Sequence, residues 1–244
     1  LNSFLSNDDS FRLDGYWPAM VDQFRYGENL FCIPSDVAPT ACVFYNKQMF
    51  EQAGLPFPND NWDWNEFVDI ARKLTLKDAE GKVTQWGFFT DYYSTFVYSS
   101  GGAFVDNLHE PKKCTINSPA AIRGLQFFLD LAFKHQVMPV PVGENASLND
   151  MGMEQKFMFK KVAMVYTGIW ISEQLREGIK EEFDWDIALP PRMPGKQFAV
   201  TPSGGSGWGI FKHCKHPELA WELVKILTGA EAQRELAKFN IQPA

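Results

Sequence analysis

Chemistry in this sequence is best sought where polar and aromatic side chains follow an apolar run. Lys160 to Trp170 reads Lys-Lys-Val-Ala-Met-Val-Tyr-Thr-Gly-Ile-Trp, so an apolar stretch stops at Gly168 and a tryptophan follows. Such a run predicts a buried parallel strand whose carboxyl end opens onto a loop, the end at which ligands of open α/β sheets gather. A tryptophan there offers a flat apolar face and one N–H donor, a combination suited to a sugar ring with its C–H face and hydroxyl rim; burial in a core is the alternative. Asp91-Tyr92-Tyr93-Ser94 repeats the arrangement after the aromatic run Val83 to Thr90. A third stretch, Ser203 to Gly209, reads Ser-Gly-Gly-Ser-Gly-Trp-Gly. It lacks the spacing of a dinucleotide fingerprint and the Lys-Ser/Thr of a P-loop, and Trp208 stands where a Gly-x-Ser-x-Gly elbow around Ser206 needs its second glycine. These glycines suit close approach of backbone N–H groups to a ligand, or a bend in the chain.

Other chemistries find less support. His213, Cys214 and His216 lie within four residues, but no fourth ligand accompanies them and His216-Pro217-Glu218 reads as a helix start, so neither a metal nor a cofactor is expected. Glycoside hydrolysis needs two carboxylates across a cleft; Asp36 and Asp91 are candidates, with nothing in their flanks that demands acid–base work. The cysteines Cys32, Cys42, Cys114 and Cys214 show no CxxC spacing. Isolated thiols are the preferred reading, with a bridge between Cys32 and Cys42 left open. A formal charge of -7, with Lys and Arg forming no stripe longer than a pair, argues against nucleic acid and anionic membranes as partners. Aromatic residues reach 15%, enough to line a cleft as well as fill a core.

The elements that must position these residues follow from periodicity. Pro18 to Tyr26 carries helical spacing ended by Gly27, and Asn29 to Ile33 reads as a strand. Pro34 to Thr40, with two prolines, is extended and stiff, which suits a crossover between two units or an ordinary strand-edge loop. Thr40 to Tyr45 is a strand and Asn46 to Ala53 a helix. Asp63-Trp64-Asn65-Glu66 fits a capping box opening a helix through Phe67, Ala71 and Leu74. Cys114 to Ile116 reads as a short strand, and Ser118-Pro119 opens a helix through Ile122, Leu125, Leu129 and Phe133. Helical spacing recurs over Met153 to Phe159 and Ser172 to Phe183, with a strand at Trp185 to Leu189. Pro217 opens a helix marked by Leu219, Leu223 and Ile226 and capped by Gly229, and Ala230 to Phe239 is the last. Strands alternating with helices imply an α/β sheet.

The order of these pieces resembles the family 1 extracytoplasmic solute-binding proteins of ABC importers, the sugar-binding group that includes maltose-binding proteins. Matching stretches are Tyr45-Asn46-Lys47 to Ala53-Gly54-Leu55-Pro56, Trp64-Asn65-Glu66-Phe67 with Lys73-Leu74-Thr75, and Gly101-Gly102. They continue with Phe157, Lys161, Ala163-Met164, Gly168 and Trp170, then Asp184-Trp185 to Leu189-Pro190, and Gly204-Gly205 before Ala220-Trp221. Lys160 departs from the pattern, since such proteins usually place glycine before the lysine, and it argues against a left-handed turn there.

The resemblance implies an α/β, periplasmic-binding-protein-like (type II) two-lobe fold that encloses a sugar by hinge closure. One lobe is nearly complete and the other only partly present, because the family pattern continues beyond both ends of the sequence. Residues 1–38 would belong to the N-terminal lobe, 39–203 would form the C-terminal lobe, and 204–244 would return to the first. Thr201 to Ser206 would be the second crossover. By the same resemblance ligand contacts fall at Asp36, Asp91, Tyr92, Trp170 and Gly205, with Tyr93, Ser206 and Trp208 beside them. The implied function is carbohydrate binding without catalysis, by a monomer working with the transmembrane subunits of an ABC importer. The implied location is periplasmic or extracytoplasmic, with a lipid anchor on a segment ahead of Leu1. A chain with one incomplete lobe is expected to bind sugar more weakly than a receptor with both. A carbohydrate-active hydrolase and a receptor for another small solute, such as a polyamine or a peptide, are the rival readings.

Overall fold

The apolar run before Trp170 becomes the strand Val162–Thr167, and all six of its residues are buried. That burial requires cover on both faces of a sheet. In the computed structural model, which describes residues 1–39, 42–140, 148, 150–201 and 203–238, the cover comes from one of two bodies into which the chain divides. This body comprises Thr40–Phe104 and Cys114–Pro202; the other comprises Leu1–Pro39, Val105–Lys113 and the residues from Ser203 onward. The segment Val105–Lys113, which the sequence reading places within 39–203, thus belongs with the first residues of the chain.

The larger body is built on a five-stranded sheet in the order Leu76–Lys77, Val83–Phe89, Val162–Thr167, Cys42–Asn46, Trp185–Ala188. Val83–Phe89 runs parallel to Val162–Thr167, with Trp86 opposite Val162 and Phe89 opposite Val165. Cys42–Asn46 is antiparallel to both of its neighbours, so the sheet is mixed where sequence alone predicts parallel strands. One face carries a core of Val43, Tyr45, Phe67, Leu74, Phe88 and Tyr166. The other packs Phe44, Phe157, Val165, Leu175 and Phe183.

Local chemistry sets the helix ends. Asn46 closes the strand and caps the helix Lys47–Gln52, its side chain accepting from the Met49 N–H at 3.1 Å. Asp63 accepts from Asn65 N and Glu66 N while Glu66 accepts from Asp63 N, a complete capping box for the helix Trp64–Leu74. Ser118 caps Pro119–Phe133 through the Ala121 N–H. In that helix the buried face is Ala121, Gly124, Leu131 and Ala132, whereas Ile122, Leu129 and Phe133 are exposed. The small residues win because the helix lies directly against Phe96 and Val97 of the helix Tyr93–Ser99, where a methyl on Gly124 would sit 2.3 Å from the Phe96 carbonyl oxygen. Cys114 to Ile116 forms no strand; Thr115 instead bonds back to Phe104 and Ala103.

The helix Met153–Met158 feeds the central strand through a turn that the sequence argues against. Lys160 takes φ +56°, its N–H donates to Phe157 O, and the Lys161 N–H donates to Lys156 O, the bonding of a Schellman motif with lysine at the position glycine usually fills. A left-handed lysine costs roughly 1–2 kcal/mol. Each buried apolar side chain of the strand after it contributes about 1.5–3 kcal/mol, so the turn is retained. The Lys160 ammonium also lies 5.1 Å from the centre of the Phe183 ring.

Among the described residues the smaller body holds three antiparallel pairs, each of two-residue strands: Arg25–Tyr26 with Asn29–Leu30, Ile33–Pro34 with Gly207–Trp208, and Ala38–Pro39 with Ser203–Gly204. The helix from Pro18 ends at Gln23, earlier than its spacing predicts. Arg25 and Tyr26 are drawn instead into a hairpin whose turn contains Gly27 at φ +56°. Val21, Leu30, Ile33, Trp221 and Val224 make the core. Asp8 accepts from Trp221 Nε1 and Lys225 Nζ, both at 2.8 Å. The Lys225 ammonium, with help from Ser10 and Trp221, holds the Asp8 carboxyl far below the usual carboxylate range. In the helix Pro217–Thr228 the packed residues are Trp221, Val224 and Thr228; Leu219, Leu223 and Ile226 face outward. The stretches Thr40–Ala41, Pro202 and Phe239, which the sequence reading assigns to the crossovers, the first sheet strand and the last helix, lie outside the described residues.

Candidate functional site

The named residues fall four to each body. In the larger body the parallel pairing of Val83–Phe89 with Val162–Thr167 brings their carboxyl ends to the same edge, so the residues after each strand emerge there. Thr90, Asp91 and Tyr92 come after the first; Gly168 and Trp170 come after the second. The Tyr92 and Trp170 rings meet edge to face with centroids 6.2 Å apart, a favourable aromatic geometry. Trp170 remains 46% exposed, so the contact leaves much of the indole surface open.

Gly168 makes this ring placement feasible. A methyl group there would lie 1.8 Å from Cζ3 of the Trp170 ring, because the indole folds back over the glycine. Trp170 itself sits in the short 3₁₀ turn Ile169–Ile171, anchored where Ser172 Oγ donates to Ile169 O at 2.5 Å.

Asp91 is exposed. Among the described residues its carboxylate takes part in no hydrogen bond or ion pair, and only its backbone carbonyl is engaged, by the Tyr93 N–H at 3.0 Å. Burial pushes the Tyr92 phenol above its ordinary range, the Asp91 charge adds to the shift, and the nearby Thr167 hydroxyl opposes it. Tyr93, the first residue of the helix Tyr93–Ser99, packs its ring 6.0 Å from Phe104 and 6.1 Å from Phe128. The structure therefore brings Asp91, Tyr92 and Trp170 to one edge, while the Tyr93 ring packs on Phe104 and Phe128.

Asp36, Gly205, Ser206 and Trp208 belong to the smaller body. The Asp36 carboxylate accepts the Ser206 N–H at 2.9 Å on one oxygen and the Ser206 hydroxyl on the other. The Ser35 N–H donates to Ser206 O at 2.8 Å, Gln233 Nε2 donates to Ser35 O, and Gln23 Nε2 donates to Gly205 O. Gly205 is pressed against the partner segment so closely that a methyl group would lie 2.2 Å from the Asp36 carbonyl oxygen. These contacts tie the segment after Pro34 to the segment after Ser203. Trp208 is 48% exposed and paired with Ile33 through the backbone.

Two residues near the aromatic edge escaped the sequence reading. Thr90, buried at 2% exposure, lies inside an apolar run and reads only as its last member. Lys156 sits on an amphipathic helix, where a lysine reads as a solvated group, yet it is buried. Its ammonium lies 4.3 Å from the Phe89 ring centre and donates to Met151 O. Burial lowers its pKa, while Asp91 and Glu154 pull it back up. No signal in the sequence marks either role.

All four cysteines are free thiols. Among the described residues no three His, Cys, Asp or Glu side chains gather closely enough to hold a metal ion, and no helix is long and apolar enough to cross a membrane. His213, Cys214 and His216 form no such cluster.

Comparison with known proteins adds a family. The profile of the bacterial extracellular solute-binding proteins matches residues 2–234. The maltodextrin-binding protein MdxE of Bacillus subtilis is 26% identical over 221 residues, covering 88% of this chain and 48% of that protein. An arabinooligosaccharide-binding protein of Halalkalibacterium halodurans is 22% identical over 226 residues, covering 91% of this chain and 49% of that protein. The chain thus spans about half the length of these relatives. Among solved structures, the ABC substrate-binding protein Lmo0181 from Listeria monocytogenes in complex with cycloalternan superposes with a TM-score of 0.85 at 24% identity. That match covers 100% of this chain and 60% of the other. Maltose-bound T. maritima MalE3 gives a TM-score of 0.75 at 22% identity over 98% of this chain and 61% of that one. The fold is that of the type II two-lobe sugar-binding proteins, of which this chain spans a part.

Proposed function

Because the chain belongs to the bacterial extracellular solute-binding protein family, we propose that it is the sugar-recognising part of an extracytoplasmic or periplasmic receptor that hands a carbohydrate to an ABC importer. In this reading it works as a monomer, binds without chemical turnover, and is held at the membrane through a lipid anchor on the longer protein. The reading is carried by one observation: Tyr92 and Trp170 stand edge to face at the shared end of two parallel strands, where the exposed Asp91 also emerges. Trp170 would stack on the C–H face of a sugar ring, and Asp91 would accept hydrogen bonds from hydroxyls at its rim.

The relatives' and neighbours' ligands, maltodextrin, arabinooligosaccharide, cycloalternan and maltose, are all carbohydrates, which supports a sugar over a polyamine or peptide. Both oxygens of Asp36 are engaged by Ser206, which disfavours Asp36 as the free acid or base of a hydrolase. Asp36, Gly205 and Ser206 would shape the ligand-facing loop of the smaller body, with Trp208 as its outer aromatic contact; in the larger body the half-exposed Tyr93 would be a separate outer aromatic contact.

The test is titration calorimetry of the chain with maltotriose, mannobiose and arabinotriose, repeated with Trp170→Ala. Binding of at least one sugar is expected, weakened about tenfold by the substitution, since an aromatic contact contributes roughly 0.5–1.5 kcal/mol and about 1.4 kcal/mol is tenfold. Full affinity in Trp170→Ala, or no binding of any of the three, overturns the assignment of this edge.

A further inference from the structure

We propose that Thr90 is a positioning residue for the Asp91–Tyr92–Trp170 edge, a role that takes its functional meaning from the sugar-binding reading above. Backbone pairing between the two parallel strands stops at Phe89 opposite Val165. One residue later the side chain of Thr90 continues the connection: its hydroxyl donates to Tyr166 O at 2.8 Å. The same oxygen accepts the Tyr92 N–H at 3.0 Å. Both directions are forced, because a carbonyl can only accept and an amide N–H can only donate. A single buried hydroxyl therefore ties the strand that leads to Trp170 to the turn that carries Asp91 and Tyr92.

Among the described residues the other backbone hydrogen bonds of that turn stay within it. Tyr92 stands at the N-cap of the helix Tyr93–Ser99, which has no side-chain cap. Tyr93 N–H to Asp91 O and Thr95 N–H to Tyr92 O are internal to the turn. They keep its shape but do not fix it to the strand beside it. Without the Thr90 hydroxyl, the buried Tyr166 carbonyl and the partly buried Tyr92 amide lose this partner, and unmet polar groups shielded from water are costly. The turn is then expected to move until water reaches them, carrying the Tyr92 ring off Trp170. Valine matches threonine in shape and lacks the hydroxyl; serine keeps it.

Nuclear magnetic resonance of the chain without ligand tests the assignment. In the wild type the Tyr92 amide is expected to exchange slowly, and the Tyr92 ring protons to carry a ring-current shift that Trp170→Leu abolishes. Thr90→Val should lose the amide protection and move the ring shift towards the Trp170→Leu value, while Thr90→Ser keeps both. A maltotriose titration should follow the same order, with Thr90→Val weakened at least about tenfold and Thr90→Ser within about threefold of wild type. Wild-type Tyr92 signals in Thr90→Val overturn the proposal. So does fast exchange of Tyr92 in the wild type, a result that stands even if Thr90→Val does not fold. Absence of maltotriose binding in the wild type counts against the sugar, whereas the ligand-free spectra decide the role of Thr90 separately.

Discussion

Asp36 and Asp91 are both carboxylates placed just beyond a strand, and they stand in opposite situations. Asp36 accepts from the Ser206 amide and hydroxyl and sits in a knot closed by Gln23, Ser35 and Gln233. Asp91 is exposed beside two aromatic rings, and its carboxylate takes part in no hydrogen bond among the described residues. The first carboxylate joins two segments of one body; the second is open to solvent. Residue type and position after a strand do not separate these roles. What separates them is whether protein donors already occupy the oxygens.

The sharpest way to break this contrast is to add one methyl group on each side of it. At Gly205 the obstacle is backbone, the Asp36 carbonyl oxygen at 2.2 Å, which cannot rotate away. Gly205→Ala is expected to lose about 1–3 kcal/mol in urea unfolding, the usual cost of overpacking. Equal stability to wild type would mean the knot is loose. Next in size is a paired exchange of the carboxylates. Asp36→Asn should cost about 1 kcal/mol by weakening charge-assisted bonds at a partly exposed site, whereas Asp91→Asn should stay within about 0.5 kcal/mol. Thermal melts of the two variants side by side would reverse the assignment if Asp91→Asn proved the more harmful.

Gly168→Ala completes the comparison with Gly205. Its obstacle is the Trp170 ring at 1.8 Å, a half-exposed side chain that can swing aside, so stability should fall by less than about 1 kcal/mol. The Trp170 environment should still change, read as a difference in emission between the wild type and Gly168→Ala that vanishes in a Trp170→Phe background. The smallest effect concerns Tyr92. Its phenol is pushed above the ordinary value of 10.0 by burial and by Asp91. Because the folded state holds this proton more tightly than the unfolded chain, the associated stability is present below about pH 10 and fades as pH rises through the folded pKa. Asp91→Asn should lower the Tyr92 titration midpoint in ultraviolet difference spectra against a Tyr92→Phe reference. An unchanged midpoint would show that Asp91 and Tyr92 are not close enough to interact.

Part of this was legible in the residues. The Asp63 capping box, the Ser118 cap and the six-residue apolar run before Gly168 all act over a few positions, so local sequence carries their signal. Trp170 as an edge aromatic was legible for the same reason. The exposed faces were not: Leu219, Leu223 and Ile226 repeat at helical spacing yet face outward, and Ile122, Leu129 and Phe133 do likewise. Spacing reports which residues share a face; it does not report which face finds a neighbour. Lys160 shows a second limit, since the penalty of a left-handed lysine is local and small while the burial that opposes it comes from the whole sheet.

By itself the sequence determined the α/β class, the caps, and the apolar stretch that stops at Gly168 with a tryptophan after it, because each rests on backbone preference or short-range periodicity. Tertiary structure decided the rest. It ran Cys42–Asn46 antiparallel to its neighbours, gathered Asp91 and Tyr92 with Trp170 across a sequence separation no periodicity spans, and engaged Asp36 with Ser206. It also gave a buried threonine two hydrogen-bond partners, one of them on the neighbouring strand. The physical reason is common to all four: a hydrogen bond or ring contact between distant residues has no energy until the chain has brought them together, so only the folded geometry selects its partners.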